Sequence, residues 1–153
     1  MSNLEKTYLE LLKRQETTGQ PFYDKSNQLK NFYLPICDRI YNYYSNINRT
    51  MIIGLSGGQG SGKSTIAQIL KIILQYKFNL NVVNFSIDDF YKTNSTRKRM
   101  SKLLHPLFKV RGVPGTHDIK MLYKIIKTLK AKRFHLIKIP KFDKSKDDRL
   151  NKK

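Results

Sequence analysis

Apolar residues recur at helical spacing in four stretches of the chain and crowd into short unbroken runs in three others. Over residues 3–15, Leu4, Tyr8, Leu11 and Leu12 share one face, with Ser2 and Glu5 spaced as a capping box and Gly19 placed as a stop. A second helix is predicted over about 35–44, with Pro35 in its first turn and Ile36, Ile40, Tyr41 and Tyr44 near one face. A third covers 64–76, where Ile66, Ala67, Ile69, Leu70, Ile73 and Leu74 form the apolar face. A fourth covers 118–131, with Ile119, Leu122, Ile125, Ile126 and Leu129. Residues 97–104 are basic and read as a weaker helix. The runs at 50–56, 81–86 and 135–140 read as strands. Two prolines and two glycines make 105–116 a loop, and the charged end, 144–153, reads as mobile. No internal repeat is visible. Strands alternating with helices predict an α/β fold, a parallel sheet with helices on both faces. Residues 1–49 read as an N-terminal helical extension and 50–153 as the α/β part.

Between the first strand and the third helix stand Gly57-Gly58-Gln59-Gly60-Ser61-Gly62-Lys63-Ser64, which spell G-x-x-x-x-G-K-S. Strand, glycine loop and helix is the setting of the Walker A phosphate loop. Glycines let backbone N–H groups approach phosphate oxygens with no Cβ in the way. The following helix adds unpaired N–H donors and the positive end of its dipole. Lys63 is the mobile cation for the β- and γ-phosphates, the Ser64 hydroxyl is placed to ligate Mg²⁺, and Thr65 completes the loop's contacts with ATP. A dinucleotide fingerprint is excluded, because Lys63 stands where its third glycine should be. The chain therefore reads as a P-loop NTPase.

Composition changes this picture little. The 153 residues suffice for one domain with a core, and no apolar run approaches the length of a membrane span. Cys37, the single cysteine, lies in an apolar stretch; it reads as a buried inert thiol in a reducing cytoplasm, without a disulfide. His105, His117 and His135 lack metal-ligand spacing. The formal charge of +19 invites a nucleic-acid reading, yet the cations are scattered and only Arg97-Lys98-Arg99 is compact. A positive field also attracts the anionic ligands of a phosphate-handling protein.

In open α/β sheets ligands lie beyond the carboxyl ends of the strands, and Asp88 and Asp89 stand at such an end. A carboxylate there can hold Mg²⁺ or take the proton of a hydroxyl attacking the γ-phosphate; the alternative is a solvated Asp-Asp turn. A GTPase switch is disfavoured, since no D-x-x-G follows the second strand and no N-K-x-D is present.

Four segments together carry a family resemblance: Gly57 to Ser64, Ser86-Ile87-Asp88-Asp89-Phe90-Tyr91, the stretch 105–118 ending Arg111-Gly112-Val113-Pro114-Gly115-Thr116-His117-Asp118, and 140–149 with Phe142-Asp143-Lys144-Ser145-Lys146-Asp147-Asp148-Arg149. In this order they resemble the glycerate kinase family, P-loop kinases of small molecules related to uridine kinase, phosphoribulokinase and pantothenate kinase. The resemblance covers about 34–149. It implies Mg²⁺- and ATP-dependent phosphorylation of a hydroxyl on a small acceptor, D-glycerate being the family's named substrate. Asp88 then matches the base and magnesium partner, while Arg111, His117, Asp118, Lys141 and Asp143 fall where relatives contact the acceptor. Arg111, Lys141 and Lys144 suit a carboxylate substrate. His117 can equally be read as a cap of the helix near Asp118.

Family members continue well beyond residue 153, with a glutamate-bearing strand, an arginine lid and adenine contacts. The resemblance also implies a strand between the first two present here, without which two strand edges stay unpaired. The chain accordingly reads as the N-terminal part of such a kinase, inactive alone, whose C-terminal half another chain could supply. The second reading is a non-catalytic or partner-dependent nucleotide-binding protein, and the third a basic nucleic-acid-associated NTPase.

Overall fold

The computed structural model describes residues 2–16, 21–47, 49–131 and 136–150. They form two compact units, Met1–Asn84 and Phe85–Lys153.

The first unit is helical. α1 (Asn3–Gln15) starts at the capping box read from the sequence: Glu5 N–H donates to Ser2 Oγ at 3.2 Å, and Ser2 N–H donates to Glu5 Oε2 at 3.0 Å. The helix closes at Glu16, and the proposed stop at Gly19 lies outside the described residues. The second helix begins earlier than its hydrophobic period predicts. α2 (Lys25–Gln28) runs through one π-helical turn, Leu29–Tyr33, into α3 (Leu34–Ile47). Pro35 explains the π turn, since it has no N–H for the carbonyl four residues back and its ring crowds that carbonyl. α4 (Lys63–Phe78) follows the glycine loop.

These helices share one core of Tyr8, Leu12, Leu29, Cys37, Ile69, Ile73 and Leu74. Each fully buried large apolar side chain contributes about 1.5–3 kcal/mol relative to exposure. The buried Tyr8 hydroxyl donates to the Lys25 carbonyl at 3.0 Å. Burial pushes the Cys37 thiol up to about 12, which keeps it an inert apolar packing group. The helices ahead of the glycine loop thus pack on the helix behind it, within a compact unit that runs to Asn84.

The second unit contains a 3₁₀ turn at Ile87–Phe90, α5 (Asn94–Leu103), a 3₁₀ turn at Pro106–Lys109 within the predicted loop, α6 (Ile119–Lys130), and a hairpin of β1 (Phe142–Asp143) and β2 (Asp148–Arg149). The hairpin is antiparallel, with Phe142 opposite Arg149. Residues 144–150 are therefore ordered into a turn and a strand, where the sequence suggested a mobile end.

The predicted parallel sheet is corrected. The runs at 50–56 and 81–86 and the described part of 135–140 are extended but join no ladder, and the hairpin is the only sheet among the described residues. Their β-branched and apolar residues supply strand propensity; a strand needs in addition a neighbour to take its N–H and C=O groups. Ile52, Ile53 and Leu55 are about half exposed, which fits strand-forming segments without a sheet around them. His135 lies outside the described residues. Among the described residues, no helix is long and apolar enough to cross a membrane.

Candidate active site

The first element is the glycine loop, exposed from Gly57 to Gly62. Gly60 (φ 76°) and Gly62 (φ 75°) occupy the left-handed region, where an L side chain is strained. A Cβ on Gly57 would meet Ser61 Oγ at 3.0 Å. Ser61 Oγ donates to the Gly58 carbonyl at 2.8 Å and tightens the turn. Ile66 N–H donates to the Gly62 carbonyl at 2.9 Å and begins α4, so the N–H groups of its first turn have no intrahelical acceptor. Lys63 folds over the loop, its ammonium donating to the Gly58 carbonyl and lying 3.4 Å from Ser61 Oγ. Ser64 is exposed in the first turn of α4. The Thr65 hydroxyl bonds Gln15 of α1, and Gln15 Nε2 donates to Gln68 Oε1 at 2.8 Å. The N-terminal helix thus braces the first turns of α4.

A separate cluster, within the second unit, is built around Asp88. Ser86 caps the 3₁₀ turn, its Oγ accepting from Asp88 N–H at 3.2 Å. The two aspartates then part. Asp89 is buried and fully engaged, accepting from Ser86 N–H at 2.9 Å, Lys141 Nζ at 2.9 Å and Phe142 N–H at 3.3 Å. Asp88 remains partly exposed, pairs with Lys144 Nζ at 2.9 Å, and lies near enough to Tyr91 for its carboxylate to raise the phenol's pKa. Neither aspartate ends a strand, so the strand-end placement is corrected to a capped 3₁₀ turn.

Residues 116–118 are fastened to 90–92. Lys92 N–H donates to the Thr116 carbonyl at 2.8 Å, Asp118 N–H donates to the Phe90 carbonyl at 2.7 Å, and Tyr91 bridges His117. The Tyr91 and His117 rings stack at 4.1 Å. His117 does not cap α6; Asp118 does, accepting from Met121 N–H at 3.1 Å. His117 Nε2 is buried without a hydrogen-bond partner in the structure. Burial lowers the His117 pKa, with Asp88 opposing, so the ring is neutral at pH 7. Burial first, and then the Asp88 carboxylate, raise the Tyr91 pKa.

Other residues read from the sequence lie around this cluster. Arg111 donates to the Lys144 carbonyl at 3.1 Å and to Asp147 Oδ1 at 2.8 Å. Lys141 serves Asp89, not Asp88. Asp143 Oδ1 is taken by the hairpin turn, accepting from Ser145 N–H at 2.9 Å and Ser145 Oγ at 2.6 Å. Asp88, Lys144, Tyr91 and His117 are thus brought together, with Arg111 next to them.

Three residues here were not singled out from the sequence. Tyr91 lies near Asp88. Arg149 donates to the Tyr91 carbonyl at 2.6 Å and pairs with Asp118 at 3.3 Å. Arg97, read as part of a compact basic cluster, is fully buried, donating to the carbonyls of Lys92 and Lys109 at 3.1 Å each and to Asp147. An aromatic residue three positions after Asp88 was a usable signal for Tyr91; Arg97 gave none.

No family model matches the chain. Over 132 residues it is 33% identical to the probable ATP-dependent kinase TDA10 of Saccharomyces cerevisiae, covering 80% of this chain and 46% of that protein. Over 100 residues it is 42% identical to the uncharacterized kinase mug58 of Schizosaccharomyces pombe, covering 64% of this chain and 36% of that one. The solved structure of the YGR205w protein superposes with a TM-score of 0.63 at 29% identity, covering 84% of this chain and 46% of the other. These likenesses support a P-loop kinase-like α/β fold; the two relatives are named as kinases, one of them as probably ATP-dependent. The chain spans less than half the length of these relatives.

Proposed function

We propose that the protein transfers the γ-phosphate of ATP to a hydroxyl of a small acceptor. The single observation that carries this reading is the glycine loop, with Gly60 and Gly62 in the left-handed region and α4 starting directly at Lys63. Backbone N–H groups from Gly57 to Thr65 and the Lys63 ammonium hold the phosphates. Magnesium suits oxygen donors of the kind each unit presents: Ser64 has an exposed hydroxyl in the first and Asp88 a partly exposed carboxylate in the second, and no group of three or more His, Cys, Asp or Glu gathers among the described residues. Magnesium is commonly held by one or two protein oxygens together with substrate phosphates and water. When bound, it neutralises charge developing on the phosphates.

Asp88 is the proposed base: it accepts the acceptor's hydroxyl proton, and its ion pair with Lys144 holds its orientation. Lys144 and Arg111 favour an acceptor with a carboxylate near that hydroxyl, D-glycerate or a similar sugar acid by the resemblance of the motifs. The single buried thiol suits a reducing cytoplasm. In the full natural protein, Asp88→Asn should lower phosphoryl transfer by roughly 10²–10⁴-fold while ATP still binds. Full transfer by that variant would remove Asp88 from the reaction.

A further inference from the structure

An open hollow of about 600 Å³ lies beside the Asp88 cluster's Arg111, within the same unit, lined by Asn94, Lys98, Lys109, Val110, Arg111 and Asp147. Its volume lies in the range of small-molecule sites.

The floor is fixed by the buried Arg97. Its guanidinium donates to carbonyls from three separate segments, those of Lys92, Lys109 and Asp147, and so fastens α5 to the turn that carries Lys109 and to the hairpin loop. Asp147 is clamped between two guanidinium groups, Arg97 on Oδ2 and Arg111 on Oδ1, both at 2.8 Å. It holds φ 50°, a left-handed conformation that these bonds stabilise against its strain. Asp147 is the only carboxylate in the lining, and its oxygens are occupied by those two arginines. Lys98 and Lys109 project from the rim with no ion pair among the described residues. The lining therefore has three cations against one carboxylate, on a rigid frame: a site matched to an anion.

Its position suggests which anion. Arg111 reaches the Lys144 carbonyl, and Lys144 pairs with Asp88, so the hollow adjoins the place assigned to the reacting hydroxyl. We infer that the hollow is a subsite for a carboxylate or phosphate that the acceptor carries away from its reacting hydroxyl. The assignment to the acceptor rests on the kinase reading above; the anion site itself does not. It extends the acceptor class to molecules with an acidic group several bonds from the hydroxyl.

The test is titration of the isotope-labelled chain with citrate and, separately, with inorganic phosphate, followed by NMR at ~0.15 M salt. At least one probe should give saturable shifts at Lys98, Lys109, Val110 and Arg111. Citrate alone would mark the subsite as one for carboxylates; phosphate would mark it as one for phosphate esters. Lys98→Ala with Lys109→Ala, both exposed, should weaken this binding at least about tenfold. Lys124→Ala with Lys127→Ala removes the same charge from α6 and should change it less than about twofold. No saturable shift from either probe, or equal weakening by both double variants, would overturn the subsite. MgATP titration of the same samples reads the kinase proposal separately: loss of ATP binding with the citrate or phosphate shifts intact would sink that proposal and leave the anion site standing.

Discussion

At the scale of single residues, neighbours of one type take opposite roles. Asp88 and Asp89 are adjacent in sequence, yet Asp89 accepts three bonds in a buried position and Asp88 faces outward to Lys144 and Tyr91. Asp89→Asn should therefore destabilise the protein by about 1–3 kcal/mol, because an amide cannot serve the same donors. Asp88→Asn gives up a partly exposed pair and should cost at most ~1 kcal/mol. Urea unfolding of the two variants distinguishes them; a reversed order would mean that the roles of the two aspartates are exchanged. The same contrast separates Arg97 from Arg99. Arg97→Met breaks a buried pair and strips three carbonyls of their donor, which should cost about 3–5 kcal/mol. Arg99→Ala, on the exposed side of α5, should stay within ~0.5 kcal/mol. Equal stability of the two variants in the same unfolding assay would remove Arg97 from the frame of its unit.

At the scale of elements, what was legible in the sequence was what local chemistry determines. α1 starts at the capping box of Ser2 and Glu5, and its first residue follows from that pair. α4 and α6 follow from apolar spacing with a glycine or an aspartate at the start. The phosphate loop was legible because its glycines carry backbone conformations that other residues resist. Gly62→Ala should accordingly cost ~1–2 kcal/mol and loosen the start of α4, measurable by thermal unfolding and by the exchange rate of the Ile66 amide. An unchanged midpoint with unchanged exchange would show that Gly62 bears no strain. The predicted strands went wrong for a non-local reason: apolar runs specify a tendency to be extended, whereas a ladder depends on a distant partner. The early start of α2 was hidden because Pro35 looked like a beginning, although a π turn lets the helix pass it. In the site, Asp88, Arg111 and His117 were legible as motif residues, but the arrangement that gives Lys141 to Asp89 and Lys144 to Asp88 depends on where the hairpin folds back.

At the scale of the whole molecule, charge dominates: +19 over 153 residues, with four of the six aspartates of the second unit, Asp88, Asp89, Asp118 and Asp147, each bound to a cation. Burial raises the Asp147 pKa, but the bonds from Arg97 and Arg111 outweigh it and hold the carboxyl below its usual range. A depressed carboxyl contributes stability above its unfolded value of ~3.9, and that contribution is lost as pH falls through the folded value. Lowering the pH below ~4 should therefore destabilise the protein more steeply than Asp147→Asn, and urea midpoints from pH 3 to 7 would show it. Parallel midpoints would mean that Asp147 is not held down. The same basic excess attracts anions generally, so the claim that the glycine loop is a nucleotide site needs a measurement that separates a built site from a positive surface. Calorimetric titration of MgATP into the chain and into its Lys63→Ala variant does so most directly. Saturable binding at one site is expected in the natural chain and its abolition in the variant, at an unchanged unfolding midpoint, because the Lys63 ammonium bonds only within its own exposed loop. Equal affinity in the two proteins, or no binding by the natural chain, would contradict the nucleotide site.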